Sequence, residues 1–255
     1  MFFSCNVAFS SLPVFLPTIL NESVYPAPNM LPFANLYLSM GYSTLASQAL
    51  SAPPYLFSFV IVLLTASLSD RHRTRSPFLI AHALFSASSY LIIALVGHFN
   101  SYFSPTLHIL IRYICVYPAA AGFFSAITLI ITWTMDNQPA KEGKGTGMAI
   151  LNLIGQCGPL VGTRLYPSSD GPWYVRGMAV CSMFMVAVSG LALGLRKLLQ
   201  RENARSLDEQ REGVLDEETA GMEAEGLMGR GMVGSSTALG EGVEKDHSDR
   251  FVYII

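Results

Sequence analysis

"PFLIAHALFSASSYLIIALVG", residues 77–97, contains no charged side chain. Its length matches a membrane crossing, because about 20 residues of helix span a hydrocarbon core about 30 Å thick. Immediately before it stands "LSDRHRTR", residues 68–75, where one carboxylate and three arginines fall within six positions. A charge cluster of this density between two apolar runs marks the polar turn that joins two membrane spans.

The same pattern extends in both directions. Apolar runs of membrane length recur at about 1–20, 45–68, 77–97, 107–134, 145–166 and 175–197. The chain is 51% hydrophobic and only 13% charged, against about 25% charged residues in soluble domains. A soluble fold would need six helices that are apolar on every side. The expectation is an all-α integral membrane protein, a six-helix bundle over residues 1–198. The first run, "MFFSCNVAFSSLPVFLPTIL", has no basic start, and Pro13 and Pro17 interrupt its apolar core. It reads as a membrane helix rather than a signal peptide. Cys5, Cys115, Cys157 and Cys181 each fall inside a span without paired or metal-ligand spacing, and read as small packing residues.

Charge sets the expected orientation. Residues 1–198 carry ten Lys/Arg and five Asp/Glu, whereas 199–255 carry six and thirteen. The 69–76 turn holds Arg71, Arg73 and Arg75, the 135–144 turn holds Lys141 and Lys144, and Arg196, Lys197, Arg201 and Arg205 follow the last span. The connections 21–44, 98–106 and 167–174 contain no Lys or Arg. Short cytosolic loops carry the basic excess, so the even-numbered spans are expected to run inward and the tail to be cytosolic. Arg176, near the outer end of the last span, is a minor exception. Residues 21–40 form a Pro/Asn-rich outer connection with one glycosylation sequon, Asn21-Glu22-Ser23, expected to lie too close to the membrane for modification. The segment 199–255 is rich in Glu, Gly and Ser and poor in aromatic residues, so an acidic, disordered cytosolic tail is expected.

Polar groups at bilayer depth are expensive, which makes them candidates for function. Asn152 and Gln156 lie four residues apart near the middle of the fifth run, on one helix face. Gly147, Gly155, Gly158 and Gly162 surround them with small surfaces. The amide pair can donate hydrogen bonds to an anionic substrate, or it can glue neighbouring helices together. Tyr55 follows Pro53 and Pro54 in mid-span, and either presents its hydroxyl to a cavity or packs in the core. Arg112 is the one cation with depth in a span, and it either attracts a carboxylate or snorkels to the surface. Arg164 and Arg176 read as interfacial anchors.

No Asp or Glu falls within a run: Glu22 and Asp170 lie on the expected outer side, and Asp70, Asp136 and Glu142 on the inner. His82 is the only deep histidine and reads as a packing residue. His98 and His108 flank one loop without a carboxylate or third ligand, so neither a metal nor another cofactor is expected. The sequence has no nucleophile elbow, phosphate loop or paired catalytic acids, and an enzyme is not expected. The basic residues lack interleaved aromatic platforms, which argues against nucleic-acid binding.

"ASLSDRHRTR" resembles the cytosolic-loop signature of the major facilitator superfamily, Gly-x-Leu-Ser/Ala-Asp-Arg-x-x-Arg-Arg. "LPTIL" closing the first run, "GYSTLASQALSAPPY" opening the second, "RY" in the fourth and "ITWTMDN" closing it are similar to the fungal anion:cation symporters of that superfamily. So are "GPLVGTRLYPSSDGPWYVRG" and "RKLLQREN". This is the allantoate and vitamin permease group. The order of the pieces matches its carboxy-terminal six helices, over roughly residues 1–205. Ala66 stands where the signature has Gly, Gln156 replaces an Asn and Pro159 a Gly. The 21–40 connection is longer than the family's and is either a genuine loop or a retained intron.

The resemblance implies secondary active uptake of a small organic anion, of the vitamin or ureide class, by alternating access at the plasma membrane. It implies that Asn6 in the first span also lines the cavity, beside Asn152, Gln156, Tyr55 and Arg112. Asp70, with Arg71 and Arg75, would form the gating loop. In the family this aspartate meets a helix N-terminus of the opposite half, where the helix dipole favours negative charge. Such transporters enclose their site between two six-helix halves. A chain of this length is expected to be a truncated or half-length form that needs a complementary half or a second copy of itself. The alternative is a non-transporting membrane fragment, regulator or assembly subunit.

Overall fold

A computed structural model describes residues 1–22, 44–138, 141–170, 173–231 and 253–254. Most of the Pro/Asn-rich connection, including Ser23 of its sequon, lies outside the described residues. The chain is all-α: α1 (Phe2–Glu22), α2 (Thr44–His72), α3 (Ser76–His98), α4 (Pro105–Asp136), α5 (Lys141–Gly155), its short continuation α6 (Gly158–Gly162), and α7 (Val175–Gly231). Counting α5 and α6 as one interrupted span, six α-helices follow one another among the described residues. Among the described residues, four segments are long and apolar enough to cross a membrane: Ser51–His72, Ser76–His98, Leu110–Asp136 and Val175–Met222. The chain is an integral membrane protein.

Two compact units are present, and the first holds residues 1–196 with Ile254. In it α3 packs most extensively on α4, α2 packs on α4, and α1 lies against α6. Small and hydroxyl side chains make these contacts. Ser86 Oγ donates to Ala119 O at 3.0 Å, and Ser182 Oγ donates to Ala87 O at 2.8 Å. Tyr90 reaches across with its hydroxyl to Ala8 O at 3.1 Å. A Cβ on Gly122 of α4 would stand 2.6 Å from both His82 O and Ser86 Cβ, so the helix backbones approach too closely for any side chain there. Helices in lipid gain little from apolar burial against one another, and close packing with interhelical hydrogen bonds takes over.

The fifth apolar run, expected as one span over 145–166, is interrupted between Gly155 and Gly158. Gln156 N still donates to Asn152 O at 2.9 Å, but Cys157 N turns to Ile154 O at 3.3 Å. Pro159 then has no N–H to return to Gly155, which ends the regular ladder. Gly158 and Gly162 press the resulting short helix on α1: added Cβ atoms would stand 2.7 Å from Asn6 Cβ and 2.5 Å from Val7 O.

The turn 72–76 is built from backbone capping. Arg73 has φ 50°, the left-handed region. Thr74 N donates to Ser69 O at 3.3 Å and Arg73 N to Asp70 O at 3.2 Å, the two bonds that define a Schellman end to α2. Ser69 Oγ adds a bond to Thr74 O at 2.8 Å.

The second unit holds residues 197–253. The stretch expected to lack structure from residue 199 is helical through Gly231. Its Leu207, Val214, Leu215 and Met222 are exposed. Arg205 and Glu209, both exposed, approach within 3.6 Å one turn apart. Asn203 Nδ2 donates to Tyr253 O at 2.9 Å, and Tyr253 N donates to Asn203 Oδ1 at 3.0 Å.

Candidate functional site

Asn6 lies where α1 meets the α5–α6 interruption, against Gly155 and Gly158, while Asn152 and Gln156 stand on either side of Gly155 in the chain. Asn6 is buried, 6% exposed, and donates from Nδ2 to Phe2 O at 3.1 Å. It reaches this crossing because Gly155 and Gly158 present no side chains: added Cβ atoms would stand 3.0 Å from Asn6 Nδ2 and 2.7 Å from its Cβ. Asn152, half-buried, donates one N–H to Met148 O at 3.0 Å. Gln156 sits in the interruption itself, exposed, with no side-chain partner among the described residues. Gln156 keeps its helical bond to Asn152 O, so the two amides stay one turn apart up to the break.

Tyr55 is placed elsewhere, within an aromatic group drawn from three helices. Phe9 of α1 packs edge-on to Phe124 of α4, centroids 5.6 Å apart, and Tyr55 of α2 packs edge-on to the same Phe124 at 6.0 Å. Phe57, Tyr117 and Tyr113 continue the pattern, with the two tyrosine hydroxyls 3.2 Å apart. The Tyr55 hydroxyl is buried with no hydrogen-bond partner among the described residues. A buried hydroxyl in that condition is costly, and a ligand oxygen would satisfy it.

Arg112 lies at the opposite end of the bundle from the arginine turn, 2% exposed. Its Nη2 donates to Trp173 O at 3.3 Å, and its guanidinium carbon stands 5.8 Å from the Trp173 ring centroid. His108, one turn away, packs edge-on to the same indole at 4.2 Å and bonds Val96 O at 3.1 Å. These contacts close the connection that enters α7.

At the arginine end, Arg75 is the organising cation. Arg75 Nε donates to Asp136 Oδ2 at 2.9 Å, Nη1 donates to Ser69 Oγ at 3.1 Å, and a second ion pair joins Nη1 to Asp70. Burial works against its charge, but the hydrogen bonds and charges of Asp70 and Asp136 outweigh it and raise the Arg75 pKa above the ordinary arginine value. Arg71 is exposed and takes no part. The sequence reading names Asp70 and Arg75 but not their third member, Asp136, which lies sixty-one positions from Arg75. It also misses Trp133 and Asn137, whose side chains hold the backbone of Ile254. The signal for Asn137 is its position at the end of an apolar run, where Asn is a helix-ending residue.

Comparison with known proteins adds a relationship. An MFS transporter, prlL, of a fungal species is 27% identical over 203 residues, covering 76% of this chain and 35% of the relative. An uncharacterised transporter of Schizosaccharomyces pombe is 25% identical over 80% of this chain and 37% of its own. The chain is related to major facilitator superfamily transporters. The high-affinity nicotinic acid transporter of Saccharomyces cerevisiae is 23% identical over 79% of this chain and 33% of its own. These relatives are transporters, not enzymes. The chain spans about a third of the length of the curated relatives it matches. No protein-family profile and no solved structure matches it.

Proposed function

We propose that this chain is the six-helix half of a secondary transporter that takes up a small organic anion by alternating access, as fungal anion:cation symporters do. The observation that carries the reading is the glycine-lined helix interruption between Gly155 and Gly158, packed on Asn6 of α1, in a chain related to transporters. Interrupted membrane helices are where transporters build substrate sites, because backbone and side-chain dipoles become available at mid-depth. In this reading Asn152 and Gln156 donate to the carboxylate, Asn6 packs against the glycines of the break, and Tyr55 and Arg112 serve the anion at other points along its path. Nicotinic acid, the substrate named for one relative, is the first ligand to test.

The arginine turn and the tail face the cytosol, by the basic bias of alternate loops. The plasma membrane is the expected site. Completing the cavity takes a complementary six-helix half or a second copy, and Asp70 meets that half when the transporter is closed to the cytosol. A second reading, a non-transporting membrane subunit, draws on Asn6 and Asn152 each spending an amide donor on its own helix.

Uptake of labelled nicotinate into cells expressing the chain separates the two, with its abundance in the membrane measured in parallel. Saturable uptake that falls to background in Asn152→Leu supports transport. Uptake at vector level, with the chain present in the membrane at normal abundance, supports the second reading.

A further inference from the structure

Asn137 ends α4 as its C-cap residue. Its side-chain amide is used on both edges. Nδ2 donates to Trp133 O at 2.9 Å and to Ile254 O at 3.2 Å, while Oδ1 accepts from Ile254 N at 2.8 Å. The indole of Trp133, one turn earlier and 2% exposed, donates from Nε1 to Ile254 O at 2.7 Å. The Ile254 peptide groups are therefore held by three hydrogen bonds from two side chains of one helix end. Two of them copy the reciprocal pairing of adjacent β-strands, because a carboxamide presents the same donor and acceptor as a peptide unit.

We infer that the end of α4 is a binding site for extended peptide backbone, and that the Ile254 segment of this chain is its occupant. The bonds reach only main-chain atoms, so the site recognises backbone rather than charge. Asp136, the neighbouring residue, is meanwhile tied to Arg75. Docking of Ile254 and the ion pair thus secure the same helix end by independent means. The inference stands apart from the transport reading, since it concerns only α4 and Ile254.

Trp133 supplies the test. The chain has two tryptophans, so Trp173→Phe leaves Trp133 as the sole indole reporter in the full-length protein in lipid nanodiscs. Deleting residues 254–255 is expected to raise acrylamide quenching of Trp133 about twofold, as the carbonyl that covers its N–H is removed. Adding a synthetic peptide of residues 250–255 to the deleted protein should restore the protection. The same peptide N-methylated at the Ile254 nitrogen should bind about tenfold more weakly, having lost the donor to Asn137 Oδ1. Asn137→Ala in the full chain should reproduce the deletion. Unchanged quenching on deletion overturns the inference, as does equal protection by the methylated and unmethylated peptides.

Discussion

α2 and α3 are adjacent in sequence and alike in composition, yet the bundle uses them in opposite ways. On α3, Leu79, Ala83, Ser86, Ala87, Tyr90, Ile93 and Ala94 are buried, and they line a face at three- and four-residue spacing. On α2, Leu56, Phe59, Val60, Leu63, Leu64 and Leu68 are exposed, and the buried positions include Ser58, Thr65 and Ser69. The apolar side of α2 is thus its outer side. In water that arrangement would be inverted, and in lipid it is expected, because hydrocarbon is an acceptable neighbour for leucine but not for a hydroxyl. Thr65 meets His82 at 2.8 Å, and Ser58 bonds Pro54 O at 2.7 Å. The stripe that marks a helix contact here is small and hydroxylated.

The comparison can be broken most severely at α3. Ser86→Leu would insert a branched side chain where Gly122 already approaches Ser86 Cβ, and should cost about 3 kcal/mol in a detergent unfolding titration. A cost below that of an exposed substitution on α2 would overturn the packing described. Next in size is Arg75→Ala, which leaves the partly buried Asp136 carboxylate without its cation and should lower stability by about 2 kcal/mol. The double variant with Asp136→Ala should recover part of that loss, because neither charge is then left uncompensated. A smaller effect, in the other direction, is expected at the turn between the two helices. Arg73→Gly relieves a left-handed backbone on a side-chain-bearing residue and should stabilise the protein by about 0.5–1 kcal/mol. Least of all, Leu63→Ala on the exposed face of α2 should change stability by less than about 0.5 kcal/mol.

Hydropathy bears on where a helix runs and not on which of its sides is buried. The runs expected at 45–68, 77–97 and 107–134 correspond to α2 over Thr44–His72, α3 over Ser76–His98 and α4 over Pro105–Asp136. Their extents follow from how many residues cross a bilayer, a one-dimensional constraint. Which side of α2 is buried is a three-dimensional matter, set by where hydroxyl groups find partners. The interruption at Gln156 was signalled by Pro159 and its glycines, although the run around it reads as continuous. The packing of Asn6 against Gly155 and Gly158 was not legible, since it depends on α1 closing on α6. The arginine cluster was legible as a turn. The capture of both Asp70 and Asp136 by Arg75 was not, because Asp136 comes from a distant helix end. Nothing in the polar composition of 199–231 distinguishes a solvated helix from an irregular tail, and the capture of Ile254 by Asn137 and Trp133 leaves no pattern in sequence.

The proposed site is tested most directly by ligand binding that depends on Asn152. Tritiated nicotinate should bind the protein in lipid nanodiscs saturably, with competition from other small organic carboxylates. Asn152→Leu should abolish that binding while leaving the unfolding midpoint near that of the unaltered chain. Absence of saturable binding by every carboxylate tried, in protein with an intact unfolding transition, would contradict the account.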